Sequence, residues 1–349
     1  MKAIIDVDTL LIHAALAAQE NYVIVTHTPT GRQKEFPTQT DFYGHHAKKN
    51  GGWLASTNLE REAKGLVVFD VNEFDVKQYT RLVAVDDVSP EVVVKGRFKQ
   101  KIEAITSQEW CSDYVICFGR GKNFRYDVAQ TQPYKQGRPE KPLLYNVVRD
   151  YMLHKYKDKL LVVDDIESDD AVAKLMFEAW VRSGKNHDKL DSVGVFVDKD
   201  LLQVPCLWFN FDKPEHGLTK ITPLEAARNL AKQLLCGDQT DSIIGLPKLM
   251  PELCEKYKIR KTASIGATTA DNLLKDVQTP KELFERVVEA YRAFYGDDKQ
   301  PFTSFRGDVG ERDWLDHMDE QFQLLRMRTS DKANPHVSVF LKSLGVRCE

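Results

Sequence analysis

Acidic residues follow three segments that have the composition of buried β-strands. Asp6 ends the segment KAIID, the group ESDD follows LLVVD, and the group DKD follows VGVFV. Because ligands of an open α/β sheet bind where the carboxyl ends of its strands meet, we expect these acids to converge. Carboxylates a few ångströms apart cannot all ionise at neutral pH unless cations compensate them. The pattern therefore predicts bound divalent metal ions, and oxygen-only ligands favour Mg²⁺ or Mn²⁺ over zinc.

A fourth acidic group, GDQTD, carries two more carboxylates at a spacing that lets both face one side of a turn. Each group alone also has an explanation without metals. Acids in the first turn of a helix interact favourably with the helix dipole, and acids after strands are common in turns. The four groups together favour the metal site.

Alternating strands and helices must position these acids. Residues 171–181 place four apolar side chains on one helical stripe, and Ser89-Pro90 starts a second helix that runs to about Gln108. Residues 21–43 alternate like a β-hairpin with a PTG turn. The predicted fold is α/β, with a mostly parallel central sheet and helices on both faces. Its strands are predicted at residues 2–6, 113–118, 160–164 and 193–198.

Length and composition bound the class of protein. The 349 residues exceed the usual size of one domain, and Gly, Pro and Lys interrupt short helices after about residue 235, so we predict domains at 1–235 and 236–349. Six scattered cysteines without a CxxC pair predict reduced thiols rather than zinc ligands or disulfides. No apolar run approaches the roughly 18 to 20 residues that span a bilayer, and acids stand where a signal peptide would be basic. These features predict a cytoplasmic protein with no membrane partner.

A basic segment lies between two of the acidic groups. Residues 120–141 carry a net charge of +4, which suits phosphate-backbone binding, although a solvated surface stripe has the same composition. The net charge of the chain is −3, and leaving out the nine acids of the proposed site, Asp8 included, changes it to +6. An acidic site in a basic surface suits a polyanionic substrate. The basic side chains of the segment are Arg120, Lys122, Arg125, Lys135, Arg138 and Lys141.

Five short motifs in a fixed order resemble the 5′ nucleases, a family that includes phage 5′→3′ exonucleases, flap endonucleases and the 5′-nuclease domain of bacterial DNA polymerase I. They are IIDVD, FRYDVAQTQPYKQGR, ESDDAVA, VDKDLLQ and GDQTDSIIGLP, and they span residues 1 to about 275. The phage-encoded members are the most similar. The resemblance implies a PIN-like 5′-nuclease core that hydrolyses DNA with two Mg²⁺ or Mn²⁺ ions, in replication or recombination and in the host cytoplasm.

The resemblance also implies roles for individual residues. Lys135, Arg138 and Arg125 would be catalytic, and Tyr134 would stack on a base. Residues 120–156 would lead into a helical arch, with Arg120, Lys122 and Lys141 at the DNA. The implied metal ligands are Asp6, Glu167, Asp169, Asp170, Asp198, Asp200, Asp238 and Asp241.

The resemblance extends to a C-terminal helical lobe with a helix-hairpin-helix element. Its two parts would be GLPK at 245–248 and SIGATTADNLL at 264–274, where Gly266, Thr268 and Thr269 would contact DNA phosphates. A K⁺ ion at this element is a further expectation. The implied partners are duplex DNA with a free 5′ end, a flap or a nick, an RNA–DNA hybrid, and replication proteins. We expect a monomer.

One family residue is missing. The family commonly carries another metal aspartate just before its phenylalanine-arginine pair, but this chain reads CFGRGKNFR, with Phe118, Gly119 and Arg120 where the acid could fall. Asp8 could replace it if the first strand continues beyond Asp6, because both side chains would then project to one face. Alternatively, Asp8 caps the following helix.

Two other functions stay open. A haloacid-dehalogenase-type phosphatase would use an N-terminal DxD with Asp6 as nucleophile, which leaves the basic segment and GDQTD unexplained. A catalytically weakened homologue that binds DNA structures without cutting them would explain the missing aspartate.

Overall fold

A computed structural model describes residues 1–45, 51–260 and 264–348. The chain divides into two compact units. The first consists of Met1–Leu10, Lys101–Glu140 and Met152–Glu349, and the second of Leu11–Gln100 and Lys141–Tyr151. These units do not separate at residue 235. The predicted division into a catalytic core and a helical lobe, which is a division by function, stays a prediction.

The strands of the described residues form three sheets. In chain order they are β1 Lys2–Asp6, β2 Gln19–His27, β3 Arg32–Phe36, β4 Phe74–Leu82, β5 Asp113–Arg120, β6 Leu160–Asp164, β7 Ser192–Val195, β8 Cys206–Phe209, β9 Leu218–Ile221, β10 Gln300–Thr303 and β11 Val309–Arg312.

The α-helices alternate with these strands and then dominate the C-terminal third. They are α1 Asp8–Leu16, α2 Gln39–Tyr43, α3 Trp53–Ala63, α4 Pro90–Thr106, α5 Arg125–Val128, α6 Tyr145–Lys155, α7 Ser168–Arg182, α8 Pro223–Cys236, α9 Pro251–Lys256, α10 Ala267–Leu274, α11 Pro280–Tyr295, α12 Trp314–Leu325 and α13 Val337–Ser343. Among the residues described, no helix combines the length and apolarity needed to cross a bilayer.

The central sheet of the first unit is mostly parallel and is flanked by helices. Its strand order is β6-β5-β1-β7-β8-β9, and only the last pair is antiparallel. Asp6 lies opposite Cys117 of β5, and Ile5 lies opposite Val195 of β7. The chain builds outward from β1 through β5 to β6 and then crosses to β7 on the other side of β1. The β1–β7 pair is therefore the switch point at which such sheets form a crevice.

Helix α7 packs against this sheet with the apolar stripe that its periodicity predicts. Val172, Met176 and Ala179 are buried, and the helix contacts β5, β1 and β7. Gly194 of β7 lets the helix approach closely, since a Cβ there would lie 2.2 Å from the sulfur of Met176. The packing fixes the N-terminus of α7 at the carboxyl end of the sheet.

The C-terminal helices form a second core in the same unit. Helix α8 packs against α10, α11 and α12, and α12 packs against α13. Glu320 of α12 ties this core to the basic segment. One of its carboxylate oxygens accepts hydrogen bonds from the backbone N–H groups of Gln130 and Thr131, each at 2.7 Å.

The second unit contains the predicted hairpin, which is confirmed as β2 and β3. Gly31 completes its turn at a φ of +68°, where its N–H donates to the His27 carbonyl at 2.8 Å. A third strand, β4, pairs with the other edge of β2. Val23, Val25, Phe36 and Phe42 form the core beneath this sheet.

The prediction of a helical arch at residues 120–156 is wrong for most of that range. Between residues 120 and 144, all of which are described, the only helix is the four-residue α5. Residues 129–144 are turns and irregular chain because Pro133, Pro139 and Pro142 interrupt them and Gly137 adopts a φ of +74°. Helix α6 begins only at Tyr145.

Candidate functional site

Asp6 is buried at the carboxyl end of β1, with an exposed fraction of 1%. Its Oδ1 accepts hydrogen bonds from the Ser168 hydroxyl at 2.9 Å and from the Asp8 N–H at 3.3 Å. Burial, followed by repulsion from Asp8, raises the pKa of Asp6 to about 7. A buried carboxyl in this state binds a proton or a cation near neutral pH.

Asp8 does not extend the first strand. Strand β1 ends at Asp6, and Asp8 is the first residue of α1. The route by which Asp8 was expected to reach the site is therefore wrong. The residue still lies near it, since its charge raises the pKa of both Asp6 and Asp169.

The ESDD group forms the N-terminus of α7. Glu167 is the N-cap, and its N–H donates to the Asp170 carboxylate at 3.4 Å in a capping box. Asp169, in the first turn, faces the other acids. Burial raises its pKa well above the ordinary value, and repulsion from Asp6 and Asp198 raises it further.

The DKD group follows β7 in a short 3₁₀-helix, Lys199–Gln203. The Asp198 carboxylate accepts the Asp200 N–H at 2.9 Å, and the Gln233 amide donates to Asp200. Burial, together with the neighbouring charges of Asp198 and Asp238, raises the pKa of Asp200 to about 8. The pKa of Asp198 is also raised, chiefly by burial.

The GDQTD group lies in a loop that closes on itself. Asp238 and Ile243 exchange two backbone hydrogen bonds of 2.8 Å, and a Cβ on Gly237 would lie 2.1 Å from the Ile243 carbonyl oxygen. A Cβ on Gly245 would lie 2.3 Å from the Gly237 nitrogen, and both glycines have positive φ. The loop buries Asp238 and Asp241, and both acids raise the pKa of Asp198 and of Asp200.

These electrostatic interactions join acids from all four groups into one cluster. Among the described residues, no three His, Cys, Asp or Glu side chains are arranged as a metal site. Their donor atoms are nevertheless all carboxylate oxygens, and their mutual repulsion is of the kind that a divalent cation relieves. The acidic cluster consists of Asp6, Asp8, Glu167, Asp169, Asp198, Asp200, Asp238 and Asp241.

Asp170 and Arg125 form a buried ion pair instead of taking their predicted roles. Two guanidinium nitrogens of Arg125 donate to the two oxygens of Asp170 at 2.7 and 2.9 Å, and its Nε donates to the Leu324 carbonyl at 2.8 Å. Asp170 also accepts the Arg328 N–H at 2.9 Å. Burial opposes the charge of Arg125, but the Asp170 charge outweighs it and raises the pKa. Because Arg125 is fully buried and Asp170 is saturated, we correct their assignments as catalytic residue and metal ligand.

Tyr134, Lys135 and Arg138 contact the edge of the acidic cluster. The Tyr134 hydroxyl lies 2.7 Å from the Asp241 carboxylate and 3.1 Å from that of Glu167, and its one proton can be donated to either. Lys135, at a φ of +57°, contacts Glu167 with its ammonium group, and Arg138 contacts Asp241. The expected stacking of Tyr134 on a base is corrected, because its ring is 5% exposed and packs among the C-terminal helices.

Arg120 and Lys122 lie on the surface, as phosphate-binding side chains would. Each is paired with an acid: Arg120 with Asp164, and Lys122 with Asp127 at 2.5 Å. Lys141 belongs to the second unit, where its ammonium lies 3.9 Å from the centre of the Tyr145 ring.

Gly119 explains why no acid precedes the phenylalanine-arginine pair. A Cβ on this residue would lie 2.7 Å from the Ser168 nitrogen and 2.8 Å from the Ile166 carbonyl oxygen. The backbone at the start of α7 therefore occupies the space that a side chain would need. Phe118 is buried, and Arg120 faces solvent.

The solved structures to which this chain is similar include three from bacteriophage T5. A structure of the T5 D15 protein co-crystallised with metal ions is 13% identical with a TM-score of 0.37, and the match covers 56% of this chain and 82% of the T5 chain. A T5 5′-exonuclease mutant is 12% identical with a TM-score of 0.35, and the match covers 56% of this chain and 80% of that one. A mutant T5 D15 flap endonuclease in a pseudo-enzyme-product complex with DNA and metal ions is 11% identical with a TM-score of 0.34. The match covers 56% of this chain and 80% of that one. No protein-family model and no curated protein matches the chain.

The expected helix-hairpin-helix element is not confirmed. GLPK does not start a helix, since the next one, α9, begins at Pro251. Gly266 is the N-cap of α10, and Thr268 in its first turn is exposed. Thr269 is 9% exposed, so its expected contact with a phosphate is corrected. Residues 261–263 lie outside the described residues.

Three residues of the site escaped the sequence interpretation. Ser168 hydrogen-bonds Asp6, Lys199 pairs with Asp238 at 2.8 Å, and Gln233 of α8 hydrogen-bonds Asp200. Ser168 and Lys199 stand inside the motifs ESDD and DKD, so a polar residue between two acids was a usable signal. Gln233 carries no such signal, because its position depends on how α8 packs.

Proposed function

We propose that this chain is a metal-dependent nuclease that hydrolyses DNA phosphodiester bonds. The acidic cluster carries the proposal. Four of its members, Asp6, Asp169, Asp198 and Asp200, have raised pKa values because they are buried and repel one another. The cations beside the cluster contact Glu167, Asp238 and Asp241 instead. A divalent ion would supply the missing positive charge.

The residues best suited to hold the ions are the buried acids of the cluster that lie nearest one another. Asp6, Asp169 and Asp198 would serve one region of the cluster, and Asp200 and Asp238 the other. Bound divalent ions would lower the pKa of an attacking water and offset charge on the leaving oxygen. Lys135 and Arg138 would bring positive charge to the scissile phosphate after leaving Glu167 and Asp241.

The order of the motifs supports the finer parts of the proposal. The likeness to 5′ nucleases implies two ions, a 5′→3′ exonuclease or flap endonuclease activity and 5′-phosphorylated products. Arg120 and Lys122, whose side chains are 64% and 63% exposed, would hold the backbone of the substrate. The phage origin and a role in replication or recombination belong to the same proposal.

Flap and duplex DNA carrying a 5′ or a 3′ label tests the proposal directly. With Mn²⁺ or Mg²⁺, we expect short labelled products from the 5′ label only, and no cleavage in EDTA. Asp198→Asn should lower the rate at least about tenfold, the least that disturbing a metal site usually costs. The exposed Asp298→Asn should leave it unchanged. Cleavage that survives EDTA, or equal rates in the two variants, would remove the metal from the proposal.

A second function, DNA binding with little or no cleavage, is favoured by one observation. Gly119, where the family's further metal aspartate could fall, has no room for an acid. Flap DNA that shifts in a binding assay but stays intact in Mn²⁺ and in Mg²⁺ would select this function.

The phosphatase alternative requires Asp6 to act as an accessible nucleophile. Asp6 is 1% exposed, and its Oδ1 already accepts two hydrogen bonds. We expect no turnover of p-nitrophenyl phosphate with Mg²⁺ under conditions in which DNA is cut.

A further inference from the structure

A cavity away from the acidic cluster has the composition of a ligand site. It measures about 370 Å³, within the range that small ligands occupy. Apolar side chains dominate its wall, and no acid is among the described residues that line it. The larger apolar residues of the wall are Phe177, Leu230, Phe284, Phe340 and Leu344.

Arg326 brings to this wall a positive charge that pairs with no acid among the described residues. Its guanidinium lies over two neighbouring rings, 4.7 Å from the centre of Phe340 and 5.1 Å from that of Phe322. Its Nη1 is buried and has no hydrogen-bond partner among the described residues. Burial alone lowers its pKa to about 10, with no carboxylate acting against the shift.

The rest of the wall limits the kind of anion that fits. Among the described residues of the lining, Lys185, which is exposed, is the one other that carries a charge. Gln203 is already engaged, since its amide donates to Gln233 and to the Leu325 carbonyl and accepts the Met327 N–H. Phosphate groups are usually held by several converging N–H and O–H donors. One guanidinium above apolar walls suits a single carboxylate attached to an apolar body instead.

We propose that this cavity binds the C-terminal residue of a partner polypeptide, with the terminal carboxylate on Arg326 and a large apolar side chain among the phenylalanines and leucines. The carboxylate would offset the charge of the guanidinium and, once the side chain turns Nη1 towards the cavity, supply the acceptor that this nitrogen lacks among the described residues. Aromatic and aliphatic anchors of this kind dominate the affinity of small interfaces. This inference does not rest on the proposed nuclease activity, although Gln203 of the wall hydrogen-bonds Gln233, which hydrogen-bonds Asp200 of the acidic cluster.

Fluorescence anisotropy of a labelled peptide ending in Leu-Phe tests the proposal on the full-length protein. We expect the free-carboxylate peptide to bind at least about tenfold more tightly than the same peptide with a C-terminal amide. Arg326→Gln should abolish that difference. Lys332→Gln, an exposed lysine outside the cavity, should preserve it. Equal binding of the two peptides, or no binding of either, would overturn the proposal.

Two further measurements keep the result interpretable. If Arg326→Gln fails to fold, Ala227→Trp replaces it, because the indole would fill the cavity from the surface of α8 and should block the peptide. An unlabelled single-stranded oligonucleotide should not displace the peptide. Displacement at equal concentration would assign the cavity to nucleic acid and overturn the proposal.

Discussion

Asp6 illustrates how the acidic cluster affects stability. The pKa of its carboxyl rises from 3.8 to about 7 on folding, through burial first and the Asp8 charge second. The folded protein therefore binds a proton that the unfolded chain releases between these two values. The free energy of unfolding contributed by Asp6 falls as pH rises through this window, opposite to an ordinary salt-bridged aspartate.

The first prediction follows for Asp6→Asn without metal. The variant should melt at a higher temperature than the unchanged protein at pH 8, and the difference should shrink towards pH 4. Thermal melts in EDTA across this range measure it. Asp298→Asn, at an exposed acid, is the control and should show no such trend. A constant difference between Asp6→Asn and the unchanged protein at every pH would contradict the assigned cause.

A second prediction compares two Arg–Asp pairs. Arg125→Gln leaves Asp170 buried without its partner and should cost about 3 to 5 kcal/mol of unfolding free energy. Arg120→Gln breaks a solvent-exposed pair with Asp164 and should change stability little. Urea denaturation measures both. Similar losses in the two variants would show that burial does not set the strength of the pair.

The sequence identifies the acids of the site, but it does not show which of them pair with a basic side chain. The motifs named every carboxylate of the acidic cluster, because most of these acids follow a strand or start a helix and the other two, Asp238 and Asp241, stand together in the GDQTD motif. They also named Asp170, which belongs to Arg125. That pairing depends on contacts with Leu324 and Arg328, more than 150 residues away in the chain, and no local pattern encodes it.

At the level of elements, the close approach of Gly119 to the start of α7 gives a third prediction. Gly119→Ala places a Cβ 2.7 Å from the Ser168 nitrogen and should cost about 1 to 3 kcal/mol, as overpacking usually does. Gly96→Ala, in the open interior of α4, should instead stabilise the protein by about 1 kcal/mol.

Thermal or urea unfolding of the two glycine variants decides the matter. If Gly119→Ala proved as stable as the unchanged protein, α7 would be able to move away from β5. An aspartate could then be introduced at position 119 to restore the family's ligand.

Elements were predictable where local pattern and tertiary packing agree. The apolar runs gave β1 and β6 their bounds, and the stripe of α7 packs on the core as its spacing predicts, with Val172, Met176 and Ala179 buried and Leu175 partly buried. Strand β4 was missed because its alternation is mostly exposed and its partner β2 lies some 50 residues earlier. The arch was wrong because it was inferred by resemblance from a segment whose prolines and glycines oppose helix formation.

For the whole molecule, the distribution of charge matters more than the net value of −3. A fourth prediction separates the effect of the charge distribution from that of the net charge. Replacing three acids of the cluster by asparagine should raise the affinity for flap DNA in EDTA roughly tenfold or more, because the negative field at the site is removed. The variants are Asp169→Asn, Asp198→Asn and Asp200→Asn combined.

A matched variant changes the net charge equally at exposed positions away from the cluster and should raise affinity much less. It combines Asp188→Asn, Glu215→Gln and Asp298→Asn. Equal gains would mean that DNA responds only to total charge and does not approach the acidic cluster. Anisotropy titrations at two salt concentrations distinguish the outcomes, since phosphate contacts show a steep salt dependence.

The hydrogen bond from Arg125 to the Leu324 carbonyl has a consequence for synthesis. The two residues are separated by 199 positions. At ribosomal rates of about 5 to 20 residues per second, Leu324 is added roughly 10 to 40 s after Arg125. The strands of the central sheet can pair during that interval, but the backbone that encloses Arg125 and Asp170 has not yet been synthesised. A nascent chain that stalls before Leu324 would therefore hold this charge pair open to water, where chaperones and proteases can reach it.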